Sequence, residues 1–233
     1  MANAVKDIIQ IKPLSIEKMK IRAVGIDPLI THAWSEKAKK EMLDSQQGVK
    51  PAKSKKPYRL PFDEFARSLY WLTPMPTTKW KDPITNEIRD IVTEELFEKA
   101  LAEGAKFGFP ANAFKMCANS AAYRGGYVKD QMRLRSAYFI NPVNGGEYVE
   151  VHGDMPVWRE DMVKLNGSTA DLRYRGAFVN WYCDLVLEYN ANGGVPKSDI
   201  INYLSYGGYG VGVGEWRPEK DGQFGRFRVE ILK

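Results

Sequence analysis

The sequence predicts an α+β domain in which an antiparallel sheet carries helices on one face, and three observations predict it. Strand-like alternation appears early, at 17–26, and again at the end, at 224–232. The longest alternating run lies late, at 173–189, and segments with helical spacing fall between the first strand and that run. The resulting order is strand, helices, hairpin, long strand, helix, strand, which suits one sheet with helices gathered on one side. At 233 residues and 44% apolar content, the chain suits a single domain over 1–233, with insertions at about 44–57 and 141–170.

In 17–26 (EKMKIRAVGI), Met19, Ile21 and Ala23 point one way and Lys18, Lys20 and Arg22 the other, and Asp27-Pro28 ends the strand. Ser35 can cap a short helix. Residues 44–57 (DSQQGVKPAKSKKP) have little apolar content and two prolines, and read as a flexible basic loop carrying Lys50, Lys53, Lys55 and Lys56. Pro61 opens a helix over 61–72, with Phe62, Phe65, Leu69 and Leu72 on one face. Residues 73–92 read as a loop containing proline and tryptophan. Thr93 caps a helix over 94–106 with Leu96, Phe97, Ala100 and Leu101 inward.

Gly108-Phe109-Pro110 breaks the chain before a helix over 111–123. There Phe114, Cys117, Ala118, Ala121 and Ala122 form the inner face, and Asn112, Lys115, Asn119 and Tyr123 a polar stripe. After Gly125-Gly126 come strand 133–140, a hairpin turn at Asn144-Gly145-Gly146 and strand 147–152. In 173–189, Ala177, Val179, Trp181, Cys183, Leu185 and Leu187 share one side. Ser198 caps a short helix over 199–206, which Gly207-Gly208 stops.

Charge is segregated. The net charge is +5, and the window from Ser35 to Arg59 alone holds eight basic residues against three acidic ones. A second basic stretch holds Lys115, Arg124, Lys129, Arg133 and Arg135 against Asp130, while acid gathers from Asp82 to Glu103. A footprint for phosphates needs such segregation. No apolar run is long enough to span a membrane, and Met1 to Gln10 lack the layout of a signal peptide. Cys117 and Cys183, each in an apolar pattern, read as reduced core thiols of a cytoplasmic protein.

The sharpest local feature is the segment from Gly207 to Pro218, in which Gly207, Gly208, Gly210, Gly212 and Gly214 crowd into eight residues. Exposed amides in such a loop can face phosphate oxygens. Arg217 and Arg226 can add charge, and Trp216 or Tyr209 a stacking surface. A mononucleotide P-loop is not indicated, because the Gly-Lys-Ser/Thr ending is missing and the loop follows a helix.

A helix stopped by Gly-Gly, then a Gly-rich segment and a final strand containing Gly225, Phe227 and Val229, resembles the RAMP superfamily of CRISPR systems. Phe109-Pro110-Ala111-Asn112-Ala113-Phe114-Lys115 and the helix running on to Arg124 are similar to that family's Ile-Pro-x-Ser-Ser-Leu-Lys-Gly-x-Leu-Arg helix. Asn112 and Ala113 replace its two serines, and Met116 its glycine. The resemblance covers about half the chain and is greatest to the backbone subunit of CRISPR effector complexes; phage proteins of similar size share it. It implies a ferredoxin-like, RRM-like fold and non-catalytic binding of single-stranded RNA through its backbone. It also implies copies aligned along the strand, with other effector-complex subunits as partners and no cofactor.

Together these readings expect one groove that gathers Lys18, Lys20, Arg22, Lys50, Lys53, Lys55, Lys56, Asn112, Lys115, Asn119, Arg124, Gly208, Gly210, Gly212, Trp216 and Arg217. Single-stranded DNA binding by the same surface, and a protein-only subunit mimic, are the alternatives. A third is an RNA endonuclease built on His32, close after the first strand, with Asp27 nearby and Lys37 or Lys39 as cation. His32 and His152 are the only histidines, and no Cys/His cluster has zinc spacing.

Overall fold

In the computed structural model, which describes residues 13–34, 36–48, 56–165 and 169–233, strand β1 (Ile16–Gly25) buries Ile21 and Ala23 and turns Lys18 and Lys20 to solvent, as its alternation predicts. The chain continues through β2 (Leu29–Thr31), α1 (Glu36–Gln46), α2 (Pro61–Arg67), β3 (Tyr70–Trp71), β4 (Thr78–Lys81), β5 (Ile88–Ile91), α3 (Glu94–Ala102) and β6 (Phe107–Pro110). Next come α4 (Ala111–Arg124), α5 (Gln131–Ala137), β7 (Tyr138–Pro142), β8 (Tyr148–Glu150), β9 (His152–Gly153), β10 (Val157–Leu165) and β11 (Thr169–Phe178). Strand β12 (Trp181–Asn190), α6 (Lys197–Gly210), a 3-10 turn at Pro218–Lys220 and β13 (Phe227–Ile231) complete it.

The architecture is α+β. The main sheet runs β13-β1-β12-β7, every neighbour antiparallel, with β9 pairing β12 beyond the end of β7. Its inner face is closed by α4 and α6: Ile21 and Ala23 from β1, Cys183, Leu185 and Leu187 from β12, Tyr138 and Ile140 from β7, and Phe227 from β13 are buried with Phe114, Ala118 and Leu204. The outer face carries no helix residue in that core. Both cysteines are free and buried, and burial pushes the Cys117 thiol up to about 12.

Two further segments pack beside this sheet. The segment from β2 to β6 and the β8–β11 segment form smaller sheets, β10-β11-β2 and β3-β6-β8, whose rings meet edge to face. Phe62, Phe65, Trp71, Phe97, Phe107 and Trp158 make that cluster, with centroids 4.8–6.1 Å apart in the closest pairs. Phe107 reaches Phe178 at 6.1 Å, so the cluster is continuous with the main core.

Several predicted elements differ. The helix from Pro61 ends at Arg67 instead of reaching 72, because the buried Ser68 hydroxyl bonds Phe65 and accepts the Gly176 amide, and Tyr70–Trp71 then pairs β6. The 73–92 loop contains the β4–β5 hairpin, its turn organised by buried Asp82, which accepts from the Tyr58, Ile84 and Thr85 amides. The predicted strand 133–140 is α5 followed by β7. Asp130 accepts from the Arg133 amide and caps the helix, so Leu134 and Tyr138 are buried by an i, i+4 relation that mimics alternation. Strand β8 follows the Asn144-Gly145-Gly146 turn but pairs β6, not β7. The long strand breaks at Val179-Asn180 into β11 and β12, which enter different sheets, and Val179 is exposed.

The largest correction concerns the glycines. Helix α6 does not stop at Gly207-Gly208 but continues to Gly210, and it begins after Pro196 instead of a Ser198 cap. Gly207 and Gly208 are buried contact points. A Cβ on Gly207 would lie 2.8 Å from the Cys117 carbonyl oxygen of α4, and one on Gly208 would overlap the Phe227 carbonyl of β13. Glycine at these positions lets the helix backbone approach its two supports. Gly208→Ala is therefore expected to lower stability by about 1–3 kcal/mol. Gly210→Ala, whose Cβ points into open space, should be neutral or slightly stabilising. Urea titrations of the two variants measure the contrast.

Candidate nucleic-acid interface

The β1 cations lie on the outer face of the main sheet, opposite α4 and α6. Register places Lys18 opposite Glu188 and Arg22 opposite Asp184, and both pairs close: 3.1 Å for the first, and a two-pronged contact of 2.6 and 2.8 Å for the second. The Arg22 guanidinium holds the Asp184 carboxyl below the usual carboxylate range. Arg22 also sits over the Tyr182 ring at 4.1 Å. Arg228 pairs with Glu230 at 2.7 Å on the same face. Cross-strand complementarity thus neutralises most of the charge that alternation displays there, and Lys20 is the predicted β1 cation without an ion pair among the described residues.

On α4 the predicted stripe divides. Lys115 leans over the Phe139 ring at 4.2 Å, and burial lowers its pKa. Asn119 accepts from the Tyr138 hydroxyl at 2.9 Å, and the Tyr123 hydroxyl donates to the Gln131 carbonyl. These three side chains position β7 and α5. Asn112 is exposed. Arg124, at the helix end, reaches Glu219 at 3.0 Å.

The Gly-rich segment is also committed internally. The Gly212 and Val211 amides donate to the Gly207 carbonyl, Val213 to Gly225, Gly225 to Pro28 and Glu215 to Ile30. Gly208 is buried in α6 and Gly210 ends it. Arg217 donates twice to Glu219, at 2.8 and 3.0 Å, and once to the Gly214 carbonyl. Glu219 thus collects Arg217, Arg124 and the Ser120 hydroxyl. Trp216 has a left-handed φ of 52° and its carbonyl accepts the Phe224 amide, while its ring stays partly exposed. The segment is a clasp that ties α6 and β13 to β2, not a cradle of free amides. Lys50, Lys53 and Lys55 lie outside the described residues; Lys56 is exposed.

Among the described residues, the predicted side chains do not converge on one groove. Lys18, Lys20 and Arg22 occupy the outer sheet face, Lys115 and Asn119 the β7 flank of α4, and Arg124 and Arg217 the α6 flank. A different cluster emerges on the helical side. Gly126, at φ +70°, and Gly125 reverse the chain after α4, and a Cβ on Gly125 would overlap the Tyr127 ring, which folds back over the turn. Tyr127 stacks on Tyr206 of α6, with centroids 5.3 Å apart and planes at 27°, and lies 6.0 Å from Tyr203. Tyr127 is 57% exposed, Tyr206 48% and Tyr209 68%. Arg226 sits 5.6 Å from the Tyr209 centroid.

In the chain, Tyr127 is flanked by Arg124, Lys129, Arg133 and Arg135; Arg124 reaches Glu219, and the Arg133 guanidinium donates to the Gly194 carbonyl. Lys129, Arg133 and Arg135 form no ion pair among the described residues, and the acid within this segment, Asp130, caps α5. The sequence carries a signal for this stack: Tyr206 stands three residues from both Tyr203 and Tyr209, so each neighbouring pair is adjacent on the helix surface, with Tyr203 turned to the core and Tyr206 and Tyr209 to solvent.

His32 lies elsewhere, in a buried ionic cluster. The Arg175 Nε donates to His32 Nδ1 at 3.2 Å; a guanidinium can only donate, so the imidazole proton belongs on Nε2. Arg175, 7% exposed, is flanked by Asp161 at 3.3 Å and Glu215 at 3.6 Å, and Arg159 shares Asp161 at 2.7 Å. Asp27, the other residue expected near a cleavage site, binds Arg226 through both carboxylate oxygens. Among the described residues no group of three or more His, Cys, Asp or Glu side chains is arranged to hold a metal ion, and no helix is long and apolar enough to cross a membrane.

Burial, and then the Arg175 charge, depress the His32 pKa below its ordinary 6.5, against weaker opposing pulls from Glu215 and Glu64. The folded protein thus resists protonation that the unfolded chain accepts. The stability this neutral imidazole confers is complete above pH 6.5 and is lost as the pH falls through the lowered folded value. Thermal melts between neutral and mildly acid pH should show that decline, and His32→Gln should flatten it. No protein-family model matches this chain, and no curated protein matches it in sequence.

Proposed function

We propose that the protein binds single-stranded RNA without catalysing a reaction, through the surface formed by Tyr127, Tyr206 and Tyr209 with Arg124, Lys129, Arg133 and Arg135. The observation that carries this reading is the exposed Tyr127–Tyr206 stack, whose Tyr127 lies in a chain segment where Lys129, Arg133 and Arg135 have no ion pair among the described residues. Exposed rings give bases a face to stack on, and unpaired cations release counterions when they meet phosphates. On the outer sheet face, Lys18, Arg22 and Arg228 are already held by carboxylates.

The finer fold reading that accompanies this proposal is ferredoxin-like. The succession β1-α4-β7-β12-α6-β13 and the sheet order β13-β1-β12-β7 support it, and with it the RAMP resemblance. On that reading the protein is cytoplasmic and its copies line up along the strand. In place of a histidine-dependent nuclease, His32 is assigned to the support of the β10–β11 hairpin.

Fluorescence anisotropy with labelled RNA and DNA of one sequence tests the proposal. Affinity is expected to fall steeply with salt. Replacing Tyr127 and Tyr206 together by Ala should cost about 1–3 kcal/mol per base unstacked. Changing Lys129 and Arg135 to Glu should weaken binding of every sequence, whereas Lys18→Glu should leave it unchanged. Flat salt dependence, or equal loss from the Lys18 variant, would rule this surface out; preference for DNA over RNA would reassign the polymer.

A further inference from the structure

The outer face of the main sheet holds a cleft that the proposed interface does not use. Its volume is about 560 Å³, within the roughly 300–1,000 Å³ typical of small-molecule sites. It lies between β1, β12, the β7–β8 turn and β8–β9, with Leu72, Val143 and Val149 among its apolar lining. Its polar groups are of unlike kinds: Lys20, Asn144, Glu150, His152 and Asp184, with the Tyr148 ring beside them.

Three features make this a built site. First, the ring of His152 is fixed in a stack. It lies 4.9 Å from Tyr182 at 20° between planes, and Arg22 lies over the same tyrosine at 4.1 Å. Because β1 and β9 flank β12 on opposite sides, the guanidinium and the imidazole sandwich Tyr182. The imidazole, whose Nδ1 lies 3.7 Å from a Glu150 carboxylate oxygen, lines the cleft. Second, acceptors and donors stand at fixed places. Asp184 is anchored by Arg22, and Glu150 by Lys106 at 3.1 Å, so both carboxylates are positioned while retaining lone pairs for further donors. Asn144 offers both a donor and an acceptor. Third, Lys20 supplies a cation without an ion pair among the described residues, on a face otherwise neutralised.

A ligand that satisfies all three is planar, carries donors and acceptors on its edge, and bears an anionic group. We infer that the cleft binds one nucleotide, with the base continuing the Arg22–Tyr182–His152 stack, its edge toward Glu150, Asp184 and Asn144, and its phosphate on Lys20. The same chemistry is offered by a free mononucleotide and by the phosphorylated end of a strand. The site sits on the opposite sheet face from the tyrosine surface and stands independently of it.

Titration of the whole protein with adenosine 5′-monophosphate, and separately with a 5′-phosphorylated dinucleotide, followed by NMR and calorimetry, tests the inference. Saturable binding is expected, weakened about tenfold by Lys20→Gln and by His152→Ala, with the fold of each variant checked by its thermal melt. Tyr127→Ala with Tyr206→Ala should leave it intact, which separates this site from the strand-binding surface. Binding of the mononucleotide identifies a free nucleotide as sufficient; binding of the dinucleotide alone identifies a strand end. Absence of saturable binding for both probes, or binding that survives both cleft variants unchanged, overturns the inference.

Discussion

The close approach of α6 to α4 and β13, made at Gly207 and Gly208, is the contact on which the remaining arrangement depends. It lets one short helix touch a neighbouring helix and a strand at once, and so seals the helical layer over the sheet. The chain then leaves α6 in position to return across the top of β2, where Glu215 meets both the Ile30 carbonyl and Arg175. The same approach sets Tyr206 beside Tyr127. A methyl group at either glycine would separate layers that everything else assumes are touching.

Charge in this molecule is spent mostly on architecture. Arg22 and Arg226 each bind a carboxylate distant in the chain, Arg217 binds one two residues on, and Arg175 is buried between two acids. A buried, hydrogen-bonded ion pair adds little over an apolar substitute, but removing one partner is costly, so such pairs hold one arrangement against others. Among the described residues, Lys129, Arg133 and Arg135 after α4 are left without such a partner, whereas two of the three β1 cations, Lys18 and Arg22, are paired across the sheet.

Much of the fold was legible. The alternation of β1 and β12, the Thr93 cap and the inward faces of α3 and α4 follow from local pattern, because each element meets the core along a single side. The failures have a common cause in nonlocal partners. Ser68 ends α2 through Gly176, more than a hundred residues away, and Gly207-Gly208 are read by the backbones of α4 and β13 and not by their own helix. The site was less legible still. Lysine and arginine appear alike in a sequence whether paired or free, and Glu188, Asp184 and Glu219 become their partners only through register and packing.

The central pair of the main sheet joins β1 to β12, with Arg22 and Asp184 separated by 162 positions. During synthesis β1 therefore emerges long before any strand it pairs with, since β7 reaches it only through β12 and β13 comes later still. High contact order of this kind makes closure slow. Met19, Ile21 and Ala23 therefore wait without their sheet partners until translation passes Asn190, whereas the rings of α2, β3, α3 and β6 can meet earlier, from residues closer in the chain.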